Sequence, residues 1–166
     1  MNTNTPRDLL FDQLRDLHSA ETQILSSLPG LAARAAYPPL CALITEHAGQ
    51  TRRQLETLAS IFQRHGMEPG NDKCKAMEGL IAGGDAHLDQ VEVPQTRDLM
   101  MVAHCSRIEH YEIAGYGIAV RLAQRLGLQE EAAILESILG EELAAASGLE
   151  ALEPALHLLA KGKGLN

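Results

Sequence analysis

Four long segments of this 166-residue chain carry apolar side chains at alternating steps of four and three residues. Side chains at that spacing lie on one face of an α-helix, so each segment predicts a long amphipathic helix that must bury that face. No segment shows the strict alternation of apolar and polar residues that marks a half-buried strand. The aromatic content of only 3% also favours helices packed on helices over a sheet. The repeat therefore indicates an all-α protein.

Residues that start or stop helices delimit these segments. Thr5 suits an N-cap before Pro6, and Gly66 and Gly127 each follow the last apolar residue of a long segment. Pro29 and Pro154 fall inside the first and the last long segment, where each predicts a kink or a break. The predicted helices cover residues 6–31, 39–65, 73–90, 94–126 and 128 onward, and the tail at residues 161–164 is expected to fray.

Four long helices, with a shorter one between the second and the third, predict a ferritin-like four-helix bundle with an additional short crossover helix. The length suits a single domain covering residues 1–166. The face predicted to be buried in the second helix consists of Leu40, Ile44, His47, Thr51, Leu55, Leu58 and Phe62. That of the fourth consists of Leu135, Ile138, Glu142, Ala145, Leu149, Leu152, Leu156 and Leu159.

Charge and cysteine content narrow the function classes. The formal net charge of −8 and the lack of a long Lys/Arg stripe argue against nucleic acid as a partner. No run approaches the ~20 apolar residues of a membrane span, and the N-terminus lacks an apolar signal core. The three cysteines include no Cys-x-x-Cys pair, which fits reduced thiols. A soluble cytoplasmic protein that binds neither membrane nor nucleic acid is expected.

Each long helix also carries a potential metal ligand on its apolar face, about midway along. Four buried carboxylates at one level would repel one another and become protonated unless a cation lay between them. Glutamate and imidazole together suit iron, manganese or zinc, and carboxylate-rich bundles usually hold two iron or manganese ions. The predicted ligands are Glu21 on the first helix, His47 on the second, Glu109 and Glu112 on the third, and Glu142 on the fourth.

A structural interpretation of these residues remains open. A single buried glutamate is more often neutralised or hydrogen-bonded than bound to metal, and a single buried histidine is usually a core residue. The Glu-x-x-His spacing of common di-iron bundles is absent. The chain has His18-x-x-Glu21 and His47-x-x-Gln50 instead. His18 could add a nitrogen ligand or orient Glu21, or it could lie on the surface, and Gln50 is a weaker candidate on the second helix.

Other polar residues near these positions have secondary roles. Tyr116 could donate a hydrogen bond to a ligand oxygen or simply pack, while His110 and Tyr111 are expected to hydrogen-bond the ligands rather than bind metal. Cys105 is expected to serve as a small apolar residue. The residues expected at the surface or at a helix boundary are Glu46, His65, His87, His104, Glu141 and His157.

The chain resembles the YciE/YciF-like family of bacterial stress-associated ferritin-like proteins. The resemblance lies in residues 16–21 (DLHSAE), 74–81 (CKAMEGLI), 109–114 (EHYEIA), 116–117 and 141–142, which span nearly the whole chain. It implies a rubrerythrin-like fold, a homodimer and a di-metal centre, with matching acids at Glu21, Glu109, Glu112 and Glu142. The family commonly has tyrosine in place of His18 and an acid in place of Gln50 and Ala146.

Two functions are compatible with these observations. In the first, the chain is a ferritin-like stress-response protein whose core holds two iron or manganese ions and whose substrate is a small oxidant, oxygen or peroxide. In the alternative, it is a non-enzymatic dimeric helical protein that acts through its surface, with a vestigial or empty metal site. The resemblance does not specify a reaction, because the activity of the family is unsettled.

Overall fold

The computed structural model describes residues 4–162, and this part of the chain forms five α-helices. They are α1 (Pro6–Arg34), α2 (Pro38–Arg64), α3 (Lys75–Leu88), α4 (Pro94–Arg125) and α5 (Gln129–Lys161). The predicted order of four long helices and one short helix is confirmed, and the predicted bounds differ by a few residues. The last part of the tail that was expected to fray, residues 163–164, lies outside the described residues.

Local hydrogen bonds explain where helices begin and end. The hydroxyl of Thr5 accepts a hydrogen bond from the Asp8 backbone N–H at 3.1 Å, and the Asp8 carboxylate accepts one from the Thr5 N–H at 3.0 Å. This reciprocal pair is a capping box. Gly66 and Gly127, with φ of 64° and 75°, follow α2 and α4 in the left-handed region that other residues adopt only with strain. The predicted start and stop signals therefore function as expected.

Neither internal proline breaks its helix, so the predicted break is wrong at both positions, whereas the predicted kink stays a prediction. Pro29 and Pro154 are both exposed, and α1 and α5 continue past them without interruption. Leu28 and Leu31 are buried on either side of Pro29, and Leu156 is buried just beyond Pro154. Tertiary packing supplies most of the stability of a helix in a protein. The packing of these neighbouring turns therefore outweighs the backbone hydrogen bond that each proline removes.

The four long helices form a ring in the order α1, α2, α5, α4. Helix α1 packs against α2 and α4, and α5 packs against the same two helices. The connections at residues 35–37 and 126–128 are short, so each joins neighbours that run in opposite directions. Helix α3 lies across α1 and α4 and belongs to the connection between α2 and α4. Within residues 4–162, no helix is long and apolar enough to span a lipid bilayer.

A polar layer separates two apolar clusters in the bundle core. One cluster contains Ile24, Ile44, Ile108 and Leu149, and the other contains Leu17, Leu58, Tyr116 and Ile138. Along each long helix, the predicted ligand positions fall between residues of the first cluster and residues of the second. The residues that lie between the clusters are Glu21, His47, Glu109, Glu112 and Glu142, and all five are buried.

Helix α3 packs on α4 through a glycine and a histidine. His104 was expected at the surface, but it is 3% exposed. A Cβ atom added to Gly84 would lie 1.9 Å from Cε1 of His104, so the imidazole ring lies directly on the α3 backbone. Burial lowers the pKa of His104 below its usual value. The contact holds the crossover helix against the helix that carries two of the buried glutamates.

The Gly84→Ala substitution is expected to reduce the free energy of unfolding by about 1–3 kcal/mol, because His104 must move to admit the added methyl group. The matched control is Gly83→Ala, whose added methyl group would meet no atom within 4 Å. This control is expected to be neutral or slightly stabilising, because alanine favours a helix by up to about 1 kcal/mol over glycine. Urea unfolding of the two variants measures the difference, and equal stability would contradict the proposed contact.

Candidate metal centre

Four predicted ligands from three helices converge in the polar layer. His47 of α2, Glu109 and Glu112 of α4, and Glu142 of α5 each contribute one potential ligand atom, and these atoms all lie within 4.8 Å of one another. The Nε2 atom of His47 lies 3.4 Å from Oε1 of Glu109. Separations of this size suit groups that share bound cations. We call these four residues the buried cluster.

The fifth predicted ligand, Glu21 of α1, lies beside the buried cluster. Its Oε1 atom accepts a hydrogen bond from the hydroxyl of Tyr116 at 2.5 Å. Its negative charge contributes to the raised pKa of Glu112, which places the two carboxyl groups within electrostatic reach of each other. Of the two roles considered for Tyr116, the structure therefore shows donation to a carboxylate. All four long helices bring a predicted ligand to this layer.

Many polar atoms here have no partner within the protein. Such atoms ordinarily find one, because an unpaired buried polar atom costs about 1–3 kcal/mol and more when charged. Without a cation, these carboxyl groups must share protons with one another, because a neutral imidazole offers only one N–H donor. A bound cation would satisfy the oxygens in place of those protons. In the polar layer, seven buried atoms have no hydrogen-bond partner among residues 4–162. They are Glu21 Oε2, His47 Nδ1, His47 Nε2, Glu109 Oε2, both carboxylate oxygens of Glu112, and Glu142 Oε2.

Two other buried acids of this protein have hydrogen-bond or ion-pair partners within the protein, as structural carboxylates usually do. Asp98 is 1% exposed, and its two oxygens accept hydrogen bonds from the backbone N–H groups of Ala36 and Tyr37 at 3.0 and 2.8 Å. Glu131 is 8% exposed and lies 3.0 Å from Nε2 of His65. Both acids thus have partners from the protein. The glutamates of the polar layer differ because protein partners satisfy them only in part.

Burial and mutual repulsion favour the protonated glutamates. Burial first, and then the negative charge of Glu142, raise the pKa of Glu21 to about 8 and that of Glu109 to about 9. Burial raises the pKa of Glu142 to about 7, although a hydrogen bond from Gln54 favours its charged form. Burial, and then the charge of Glu21, raise the pKa of Glu112 well above its ordinary value. Without a cation, the cluster therefore retains protons near neutral pH.

The metal-free protein should consequently lose stability as the pH rises. Between the ordinary glutamate pKa of 4.5 and the raised values of about 7 to 9, the folded state holds more protons than the unfolded state. Below pH 6.5 the buried and half-buried histidines, whose pKa values are lowered, change stability in the opposite direction. Above that pH the glutamates dominate, so the free energy of unfolding must fall between about pH 7 and about pH 9. Melting temperatures of chelator-treated protein should therefore be several degrees lower near pH 9 than near pH 7. An equal or higher melting temperature near pH 9 would contradict this.

Sequence reasoning missed one residue of the polar layer. Gln54 of α2 is 2% exposed, and its side-chain amide donates to Glu142 Oε1 at 2.5 Å and to Glu141 Oε2 at 2.9 Å. The face predicted to be buried ran through Leu55, which is only half-buried. On α5, likewise, Ala146 takes the buried position predicted for Ala145. A step of three instead of four after Thr51, and of four instead of three after Glu142, would have identified both residues.

The two weaker ligand candidates lie outside the buried cluster. His18 is half-buried and its pKa is lowered by burial, but it is not among the converging groups. Gln50 is half-buried and lines a surface depression together with His47. Burial lowers the pKa of His47, and contact with Gln50 partly opposes that shift. Among the described residues, His47 is the histidine that converges with the buried glutamates.

Several expected neighbours have other partners. The hydroxyl of Tyr111 donates to Asp16 Oδ2 at 2.5 Å and lies 3.1 Å from the Cys74 sulfur, so the expected contact with the ligands is wrong. His110 is exposed, and its ring lies against the Ser106 carbonyl instead. His87 and His157 are exposed as predicted, whereas His65 is half-buried and Leu159 is exposed. Cys105 is buried, and burial and the charge of Glu109 raise its pKa to about 12.

The fold and the polar layer define a class of protein, the ferritin-like four-helix bundle with a carboxylate-lined core. Residues 5–159 match the family described as a domain of unknown function, DUF892. Protein YciF of Escherichia coli strain K12 is 33% identical over 145 residues, which cover 87% of each chain. The chain belongs to this YciF-like DUF892 family, and the predicted resemblance is confirmed.

Solved structures agree with the fold. The crystal structure of the Escherichia coli stress protein YciF matches with a TM-score of 0.88 and 31% identity, covering 92% of this chain and 97% of that one. YcfI of Rhodopseudomonas palustris, provisionally described as a structural protein, matches with a TM-score of 0.87 and 34% identity, covering 90% of this chain and 95% of that one. The predicted ferritin-like, rubrerythrin-like bundle is thereby confirmed.

Proposed function

We propose that this chain is a stress-response protein whose core binds a pair of iron or manganese ions and handles oxygen or peroxide. The observation that supports this most strongly is the convergence of three glutamates and one histidine, with Glu21 beside them, whose buried atoms are only partly satisfied by the protein. Glu109 and Glu112 would be the central ligands, with Glu21, His47 and Glu142 around them, and carboxylate with imidazole suits iron or manganese. The metals, when bound, would supply the redox chemistry.

The remaining polar residues of the layer orient the ligands. Tyr116 donates to Glu21, and Gln54 donates to Glu142, so each hydrogen bond holds one carboxylate in place and leaves its second oxygen without a protein partner. Such outer contacts fix the geometry of metal ligands. The apolar clusters on both sides exclude bulk water. Small oxidants fit such a site better than large organic substrates.

Peroxide consumption tests this activity. Iron- or manganese-loaded protein should consume peroxide in the presence of a reductant, and Glu112→Ala should remove the metal-dependent part of the rate. The control is Glu136→Ala, which makes the same change at an exposed position of α5 and should behave as wild type. The oxidant-handling proposal fails if loaded wild type is no faster than metal-free protein.

We also propose that the chain is a cytoplasmic homodimer that binds neither nucleic acid nor membrane. The acidic composition and the free cysteines support this proposal. Sedimentation equilibrium should give about twice the chain mass of 17.9 kDa. A monomer over the whole concentration range would refute the dimer.

The second candidate is a non-enzymatic dimer that acts through its surface, with a vestigial or empty metal site. Its support is the description of YcfI as a structural protein, together with Gln50 and Ala146, which stand where the family commonly has acids. In that case the protein should carry less than about a tenth of an equivalent of metal, and chelation should leave its melting temperature unchanged.

A further inference from the structure

A surface depression between α2 and α5 ends at the buried cluster. Its volume is about 160 Å³, which leaves room for a cation with a few water molecules. Small side chains line it on α5, and longer side chains, three of them polar, line it on α2. The lining residues are Leu43, Glu46, His47, Gln50, Ala144 and Ala145.

His47 connects this depression to the interior. The side chain is 5% exposed, lines the depression, and belongs to the buried cluster. Neither ring nitrogen has a hydrogen-bond partner within residues 4–162. A buried imidazole whose Nε2 atom faces the Glu109 carboxylate at 3.4 Å, placed at the end of an open depression, is available to a cation that arrives from solvent.

The mouth of the depression carries groups that attract cations. Glu46 is exposed and precedes His47 in the chain, and Gln50 lies one helical turn beyond Glu46 on the same face of α2. A carboxylate and an amide oxygen are both ligands for divalent ions. On α5, Ala144 and Ala145 leave the opposite wall free of long side chains.

A second depression on the same side is a poorer route. Gln54 and Glu141 line it, and the amide of Gln54 bridges Glu141 and Glu142 between that surface and the cluster. Arg53 also lines it, and its positive charge repels metal cations. Depressions on the α1 side carry both acidic and basic side chains, and no residue of the buried cluster lines them.

We propose that divalent cations reach the core between α2 and α5, and that Glu46 is a transit ligand that passes them to His47. The inference rests on the proposed metal centre and adds its route of access. It predicts that residues of the depression control the rate of metal loading, whereas the residues of the buried cluster control the affinity.

Stopped-flow absorbance with Co²⁺ as the probe tests the route on metal-free protein. Glu46→Gln should slow loading by about 3- to 10-fold at low ionic strength, and salt should reduce the difference. Glu56→Gln is the matched control, because it removes the same charge from an exposed site on α2, about 15 Å along the helix. Final Co²⁺ absorbance should be equal in all three proteins.

Filling the depression provides a second test. Ala145→Leu should slow loading by more than about 10-fold without lowering the final Co²⁺ absorbance. Ala133→Leu, an identical change at an exposed site on α5, should load at the wild-type rate. Wild-type rates in both Glu46→Gln and Ala145→Leu would overturn the route and leave the metal centre standing. A wild-type protein that gives no Co²⁺ signal would overturn both.

Discussion

Glu112→Gln is expected to lower the affinity of the protein for Mn²⁺ by more than about 100-fold. Neither carboxylate oxygen of Glu112 has a partner among the described residues, and the side chain is completely buried between Glu21 and the other acids. The amide keeps the size of the side chain but removes its charge and one of its acceptor oxygens. Titration calorimetry on metal-free protein measures the change.

Two comparisons distinguish ligand loss from misfolding. Glu136→Gln, at an exposed position of α5, should bind Mn²⁺ as wild type does. Metal-free Glu112→Gln should unfold as cooperatively as metal-free wild type, because the amide has the size of the carboxyl group and that group is itself protonated when no metal is bound. Wild-type affinity in Glu112→Gln would show that this carboxylate does not hold metal.

The second large effect has the opposite sign. Glu112→Leu is expected to raise the free energy of unfolding of the metal-free protein by about 1–4 kcal/mol, as when other buried charged groups are replaced by apolar ones. The substitution removes a carboxyl group whose pKa is raised by burial and by three neighbouring glutamates. The same variant should gain no stability from added Mn²⁺, whereas wild type should gain about 2.7 kcal/mol at a hundred times its dissociation constant.

Urea unfolding near pH 8, with and without chelator, measures both effects. The control is Glu136→Leu, which adds the same side chain at the surface and should change stability by less than about 0.5 kcal/mol. A metal-free Glu112→Leu variant that is less stable than wild type would mean that Glu112 has a structural partner. A gain in stability combined with a loss of metal is the pattern of a site kept for function.

Much of the fold follows from the sequence because helical periodicity and capping are local. Thr5, Gly66 and Gly127 act over one turn of helix, and the structure confirms all three. Pro29 and Pro154 mislead for the same reason, because a local rule does not include the packing of the turns on either side. His104 packs against Gly84 of α3, and a single apolar stripe on α4 does not predict a second buried face.

The acids of the candidate centre could be identified because charge on an apolar face is conspicuous. Glu21, Glu109, Glu112 and Glu142 all lie in the polar layer, as predicted, whereas their binding of metal stays a prediction. The burial of Gln54 was not predicted, because the residue is uncharged and because helical spacing permits a step of three or four after Thr51. Tyr111 pairs with Asp16, a contact between helices that depends on the docking of α1 and α4.

Metal content is the most direct measure of the central proposal. The protein should be purified without an affinity tag, analysed for metals, and melted before and after chelation. We predict about two equivalents of iron or manganese per chain and a melting temperature that falls by several degrees on chelation. Less than about a tenth of an equivalent, with unchanged melting after chelation, would contradict the metal-centre proposal.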